Sequence, residues 1–149
     1  MDAFERSLND LLLDTFNNII KYEEISLKKM IAPVTISEAH TIEAISKLDG
    51  RNATVGNLAA LLNIAAPTVT VAVKKLESKG LVRKTQCEKD ARRAIVSLTD
   101  AGRRIERAHR LFHERMVRNI GRQFAESEKE VLLRAIQMLS EFFKARTAP

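Results

Sequence analysis

The chain has 149 residues, 25 lysines and arginines against 19 aspartates and glutamates, and a formal net charge of +6 at pH 7. This length predicts one domain or a compact dimer-forming unit, and the basic excess suits an acidic partner without identifying it. Cys87 is the only cysteine, which excludes an intramolecular disulfide and agrees with a reducing cytoplasm. The N-terminus lacks the basic-then-apolar order of a secretion signal, so we expect a cytoplasmic protein with no membrane partner.

Long helices are predicted at both ends of the chain. Apolar residues recur at helical spacing over residues 4–30, a loop follows over 31–36, and Ser37 is predicted to cap a helix over 38–48 that Gly50 ends. Residues 100–123 are predicted to form one arginine-rich helix, and Ser127 to cap a last helix to about residue 144. The first and last helices carry more apolar residues than a small monomer buries easily, so we expect them to join two subunits.

The central stretch divides into a neutral part and a basic part. Residues 52–73 contain no charged residue, whereas residues 74–93 contain eight basic and three acidic ones. A membrane span would be uncharged too, but eight residues of this run are Asn, Thr, Gly or Pro, which argues against one. A basic run is often only a solvated face. Composition alone does not distinguish a solvated face from a DNA-binding surface, so the functional prediction depends on the order of the predicted elements.

Two short helices are predicted there. The first begins at Thr54, Asn63 and Ile64 form a turn, Pro67 fits the first turn of the second helix, and Gly80 ends it. The inward residues are Val55, Leu58, Ala59 and Leu62 on the first helix and Val69, Val73 and Leu76 on the second. The outward residues of the second helix are Thr68, Thr70, Val71, Lys74 and Lys75. An outward valine beside two threonines suits contact with thymine methyl groups in a major groove.

A β-hairpin is predicted to follow, with strands over residues 81–85 and 94–98. Its tip, residues 86–93, carries Lys89, Asp90, Arg92 and Arg93. Arginines on a thin hairpin can reach a minor groove, whose negative potential attracts guanidinium groups. Asp90 can hold Arg92 in place through a bidentate pair. A helix pair followed by a basic hairpin predicts a DNA-binding protein.

Three segments resemble the MarR family of winged-helix repressors: residues 76–83 (LESKGLVR), 90–93 (DARR) and 96–102 (VSLTDAG). The resemblance covers nearly the whole chain. It implies a mainly α fold with a small β-hairpin wing, in which residues 37–99 form a winged helix-turn-helix core and residues 1–36 and 100–149 supply dimerisation helices of one domain. It also implies a homodimer on a near-palindromic operator in double-stranded DNA, with Arg92 in the minor groove supported by Asp90. Ala65 stands where the family usually has a Ser or Thr helix cap.

The residues that we expect to contact DNA lie in the core and the wing. They are Ser37, Thr54, Pro67, Thr68, Thr70, Val71, Lys74, Lys75, Lys89, Asp90, Arg92 and Arg93.

A narrower resemblance concerns residues 16–24, 36–42 and 110–117, which look like the MarR subgroup that represses bacterial fatty-acid synthesis genes, the FabT type. It implies that long-chain acyl-acyl carrier protein acts as a co-repressor, with no resident cofactor required. The expected effector-binding residues are Phe16, Ile19, Ile20, Glu23, His40, Ile45, Phe112, His113 and Met116. Arginines of the long helix, from Arg103 to Arg122, suit an acidic carrier protein.

A metal-responsive regulator is the alternative interpretation. His109 and His113 lie at i and i+4 on one helical face, a spacing that can chelate zinc. Glu24 and His40 occur where zinc-sensing MarR relatives also place ligands.

Two other classes of protein fit the sequence less well. No glycine-rich phosphate loop, HExxH or GxSxG motif is present, so we expect no enzyme activity. A nonspecific nucleoid protein would hold DNA mainly through cations, whereas the outward residues Thr68, Thr70 and Val71 are suited to base edges.

Overall fold

The computed structural model describes residues 1–29, 34–48, 52–87 and 90–147, apart from the side chains of residues 87 and 90–93. The elements in chain order are α1 (Ala3–Lys28), α2 (Ile36–Lys47), α3 (Val55–Leu62), α4 (Ala66–Ser78), β1 (Val82–Cys87), β2 (Asp90–Leu98), α5 (Asp100–Gly121) and α6 (Glu126–Thr147). The chain forms two compact units, Met1–His109 and Arg110–Pro149, and the boundary falls within α5. The predicted fold class, mainly helical with one small β-hairpin, is confirmed.

The start of α2 differs from the sequence prediction, which was wrong to make Ser37 the cap. Thr35 is the N-cap: its hydroxyl accepts from the backbone N–H of Glu38, and the Glu38 carboxylate accepts from the backbone N–H of Thr35 at 2.9 Å. This reciprocal capping box satisfies two donors that the first helical turn leaves without partners. The helix therefore begins at Ile36, and Ser37 lies within its first turn.

The predicted start of α6 was wrong in the same way, because Ser127 is not its N-cap. The helix begins at Glu126, and the Glu128 carboxylate accepts from the backbone N–H of Ala125 at 2.7 Å. Ser127 again lies one residue before the glutamate that closes the first turn. In both helices the glutamate at the third helical position accepts from the N–H of the residue before the helix. Each helix therefore begins two residues earlier than a serine cap predicts.

The central helix pair follows the prediction. The Thr54 hydroxyl caps α3, and Asn63 ends it in the left-handed conformation with φ 53°. Ala65 precedes α4 without a side-chain capping bond, and Pro67 lies in the first turn. Gly80 has φ +68° after the end of α4. The N–H groups of Gly80 and Leu81 bond back to the carbonyls of Glu77 and Leu76, which is the Schellman arrangement.

The wing is longer than predicted. β1 and β2 pair antiparallel with Val82 opposite Leu98 and Gln86 opposite Ala94, and after an irregularity pairing continues to Cys87 opposite Asp90. The backbone of much of the predicted tip therefore belongs to the strands, because the ladder runs on past the bulge. Lys89 lies outside the described residues. The backbone of Asp90, Arg92 and Arg93 is part of β2, and their side chains lie outside the description, as does the predicted Asp90–Arg92 pair.

Thr99 joins the wing, the end of α4 and the start of α5. Its hydroxyl donates to the Gly80 carbonyl at 2.7 Å and accepts from the Gly102 N–H at 3.1 Å, while its own N–H donates to the Leu81 carbonyl at 3.0 Å. A Cβ on Gly102 would lie 2.0 Å from the Leu81 carbonyl oxygen, so only glycine permits this close approach.

The core of the unit Met1–His109 lies between α2, α3, α4 and the wing. Its fully buried side chains include Ile42, Ile45, Leu58, Val69, Val73, Leu76 and Val96. The N–H of Val96 also donates to the carbonyl of Ala53 at 2.8 Å, which ties β2 to the start of α3. Burial of these apolar side chains is the main force that holds α4 in place with its other face outward.

Both terminal helices leave large apolar side chains exposed. On α1 they include Phe4, Leu11, Phe16, Tyr22 and Ile25, and on α6 Val131, Leu133, Ile136, Met138, Phe142 and Phe143. No residue of α6 is buried.

Among the described helices, none is by itself long and apolar enough to cross a membrane. The pair α3 and α4 passes that test together by length and composition only, with a bend of 110°.

Candidate functional site

The outward face of α4 is centred on Val71. At 100° per residue this side chain points away from the buried stripe of Val69, Val73 and Leu76, and 54% of its surface is exposed. All five predicted outward residues, Thr68, Thr70, Val71, Lys74 and Lys75, are exposed. The hydroxyl of Thr70 donates to the Ala66 carbonyl at 3.1 Å. The helix thus presents one apolar side chain among threonines and lysines.

A groove runs between the start of α2 and this face of α4. Its lining includes Thr35 and Ser37 from α2 and its cap, and Pro67, Thr68, Val71, Ala72 and Lys75 from α4. Ser37, although not a helix cap, is therefore brought beside the predicted DNA-reading residues. Thr54 lies apart from this groove: its hydroxyl caps α3, and its backbone pairs with Ile95 of β2.

Some of the basic residues in this region already have acidic partners. Lys79 Nζ lies 2.7 Å from the buried carboxylate of Glu38, and Lys84 Nζ lies 3.5 Å from Glu77. Burial raises the pKa of Glu38, but hydrogen bonds from Lys79 and Thr35 outweigh it, so the net pKa lies below the ordinary value. Lys79 therefore fixes the end of α4 against α2, and Lys74 and Lys75 are the lysines of α4 suited to phosphates.

A second cluster joins α1, α2 and α5 within the unit Met1–His109. The buried carboxylate oxygen Oε1 of Glu23 lies 3.1 Å from His40 Nε2 and 2.7 Å from His109 Nε2. His109 is 2% exposed, and its Nδ1 lies 3.8 Å from Glu43 Oε2. Glu43 was not predicted, although it follows His40 by three residues and so shares its helical face.

The cluster corrects one predicted ligand. Glu24 is exposed and lines a separate groove with Leu27, Lys28 and Val34, whereas Glu23 faces the histidines. Ligand atoms of Glu23, His40 and His109 all lie within 4.8 Å of one another. Two imidazoles and a carboxylate are ligand types that zinc accepts, with a fourth position left for water or another side chain. His113 follows one helical turn after His109 on α5.

The other predicted effector residues differ in how far they are buried. Phe16 and Ile19 are exposed on α1, Ile20 is half-buried, and Ile45 is buried in the core beside Ile42. Phe112, His113 and Met116 lie on α5 in the unit Arg110–Pro149 and are half-buried, with the rings of Phe112 and His113 5.2 Å apart, edge to face. Of the predicted set, Glu23 and His40 are in direct contact.

A helix pair with an outward second helix, followed by a two-stranded wing, defines a winged helix-turn-helix protein. Residues 32–93 match the MarR family. A crystal structure of FabT from Streptococcus pneumoniae in complex with DNA is similar over 95% of this chain and 98% of that one, with 30% identity and a TM-score of 0.86. The chain therefore belongs to the MarR family of DNA-binding transcriptional regulators, which is not a family of enzymes.

Two curated regulators are also similar. AdcR of Streptococcus pneumoniae serotype 2 is 28% identical over 137 residues, 89% of each chain. ZitR of Lactococcus lactis subsp. cremoris is 25% identical over 114 residues, 74% of this chain and 77% of ZitR. A crystal structure of ZitR, a zinc-responsive MarR family member, shares the fold with a TM-score of 0.73 over 95% of this chain and 99% of that one at 23% identity.

Proposed function

We propose that this protein is a homodimeric, sequence-specific repressor of fatty-acid synthesis genes, with long-chain acyl-acyl carrier protein as its co-repressor. The observation that carries the DNA-binding part is the outward face of α4, where Val71 stands among Thr68, Thr70, Lys74 and Lys75. Threonine and valine suit base edges in a major groove, and the lysines suit the flanking phosphates.

The homodimer is supported by the exposed apolar side chains of α1 and α6. Patches of this kind on a small protein mark an interface with another chain. A two-fold axis would present two copies of α4 to major-groove faces about 34 Å apart on one duplex. The operator would then be a near-palindrome.

The choice of effector rests on the similarity to FabT over nearly the whole chain and on the charge of α5. Arg104, Arg107, Arg115 and Arg118 are exposed on this helix, and Arg122 is exposed directly after its end. Other arginines are occupied: Arg103 pairs with Asp100, and Arg110 lies 2.8 Å from Glu114. The exposed arginines suit docking of an acidic carrier protein, whose charge would steer association.

The test is operator affinity, measured with and without long-chain acyl-acyl carrier protein at one fixed salt concentration. We expect the acylated carrier to tighten binding several-fold and the unacylated carrier to have little effect. Replacing both Arg104 and Arg107 with alanine should reduce the response, whereas Arg103→Ala, which removes an arginine already paired with Asp100, should reduce it less. If the operator is bound specifically but its affinity does not change with the acylated carrier, the proposed co-repressor is refuted and the DNA-binding function is not.

Regulation by zinc is the second candidate, and the contact of Glu23 with His40 and His109 is the observation that favours it. These residues would hold the ion, which would join α1, α2 and α5 through ligand bonds. In the same titration, zinc alone should then tighten operator binding, and His40→Ala should abolish the effect. Glu24→Gln is the matched control, because Glu24 is exposed and outside the cluster. A zinc response that survives His40→Ala would exclude this site.

A further inference from the structure

We propose that Val71 reads the 5-methyl group of a pyrimidine, which is thymine in unmodified DNA, within each operator half-site. The inference rests on the proposed DNA-binding function and deepens it, because it names the chemical feature of DNA that α4 selects.

The position of Val71 is the first support. A valine with 54% of its surface exposed stands opposite the buried stripe of Val69 and Val73, so it is the part of α4 that penetrates deepest into a groove. Its helical neighbours one turn away are Pro67 and Lys75. The centre of the outward face of α4 is therefore apolar, and Lys74 and Lys75 lie one helical turn after it.

The composition of α4 is the second support. The helix, APTVTVAVKKLES, contains no Arg, Asn or Gln. Asparagine and glutamine identify adenine in the major groove, and arginine or lysine identifies guanine, so α4 can read guanine only through Lys74 and Lys75, one turn after Val71. The Thr70 hydroxyl already donates a hydrogen bond to the Ala66 carbonyl at 3.1 Å. What α4 offers at its centre is methyl groups, and their natural counterpart in the major groove is the pyrimidine 5-methyl group.

The surface next to Val71 can bury such a group. Pro67, Thr68, Ala72 and Lys75 of α4 line the same groove as Val71, together with residues 35, 37 and 38 at the start of α2. A methyl group seated there would lose contact with water on several sides. Burial of one methyl group is equivalent to about a fourfold gain in affinity.

The experiment replaces thymine with deoxyuridine, which removes the methyl group and keeps the base pairing. The operator is first selected from random duplexes with the full-length protein, and each thymine is then replaced symmetrically in both half-sites. We expect one position at which the change weakens binding by about tenfold or more, roughly fourfold for each half-site. If that T·A pair is exchanged for C·G, 5-methylation of the cytosine should restore part of the loss.

The variant Val71→Ala links the effect to this residue. It should bind thymine and uracil duplexes equally at that position, and Val71→Thr should retain part of the preference. Both variants should fold, because the side chain is exposed and alanine favours a helix. Lys74→Ala is the matched control: it should weaken binding to both duplexes and leave their ratio unchanged.

The outcomes separate this inference from the proposed function. Specific operator binding that is indifferent to uracil at every position overturns the inference alone, as does a thymine preference that persists in Val71→Ala. Failure to select any specific operator overturns the proposed function and the inference with it.

Discussion

Glu23 and His109 are 86 residues apart in the sequence, yet their side chains meet at 2.7 Å inside the protein. Both are almost completely buried, and the same carboxylate oxygen also faces His40. One oxygen atom of α1 thus makes polar contacts to α2 and α5. A buried carboxylate is costly without such partners, so this contact fixes which face of α1 points inward.

We expect Glu23→Ala to lower the free energy of unfolding by about 1–3 kcal/mol, because it removes the carboxylate that contacts the buried Nε2 of His109. Urea denaturation monitored by circular dichroism measures the change. Glu24→Ala is the matched control on an exposed neighbour and should change stability by less than about 0.5 kcal/mol. Equal losses in the two variants would contradict the role given to Glu23.

The ion pair of Lys79 and Glu38 predicts a pH-dependent contribution to stability. The pKa of Glu38 is lower in the folded protein than its ordinary value. Its contribution is therefore fully present above the ordinary pKa and is lost as the pH falls through the lowered folded value. Lys79→Met should cost about 1 kcal/mol at pH 7, a figure discounted because Lys79 is partly exposed. This cost should shrink as the pH falls through the acidic range.

The control for that experiment is Lys129→Met. Lys129 pairs with Glu126 three residues away, and the Glu126 side chain is 90% exposed. Its loss should cost less than about 0.5 kcal/mol. A difference between wild type and Lys79→Met that stays constant from neutral to strongly acidic pH would contradict the predicted linkage.

Gly102→Ala should be strongly destabilising. The added Cβ would lie 2.0 Å from the Leu81 carbonyl oxygen, a backbone atom that cannot move without disturbing the wing. We expect a loss of about 2 kcal/mol or more, measured by thermal or urea unfolding. Gly121→Ala is the matched control in the same helix, with nothing within 4 Å of the new Cβ, and should be neutral or stabilising. A tolerated Gly102→Ala would show that the close approach is not rigid.

Leu11→Glu should weaken the proposed dimer. Leu11 is 65% exposed on the apolar face of α1 that also carries Phe4 and Tyr22. A charge there would oppose burial against a second copy, so sedimentation should show more monomer at micromolar concentration and operator affinity should fall. Asn17→Glu adds the same charge on the polar side of α1 and should leave the dimer intact. A wild-type protein that is a stable monomer at micromolar concentration would refute the dimer itself.

Much of the fold is predictable because its signals are local. Thr54 caps α3, Asn63 takes the left-handed conformation and Gly80 ends α4, each by backbone geometry that few residue types favour. The starts of α2 and α6 were missed for a related reason. Ser37 and Ser127 are good caps in isolation. The true start is decided by the residue two positions before each serine, Thr35 or Ala125, whose N–H bonds to a glutamate three positions later.

The site was predictable in part. The outward residues of α4 follow from the helical period once the inner stripe is assigned. Glu24 was predicted as a metal ligand from the resemblance to zinc-sensing relatives, but it is Glu23 that faces the histidines. Hydrophobic periodicity does not separate the two residues, because α1 is apolar on its outward face as well. Leu27 is buried one turn after Glu23, so the two residues share the inward face of α1.

The Thr99 hydroxyl also has a mechanical consequence. One oxygen atom bonds the last turn beyond α4 through Gly80 and the first turn of α5 through Gly102, with the Leu81 carbonyl pressed against the same glycine. A rotation of α5 about its first turn must therefore carry the end of α4 with it or break these bonds. The Thr99 hydroxyl therefore couples the first turn of α5 directly to the end of the recognition helix.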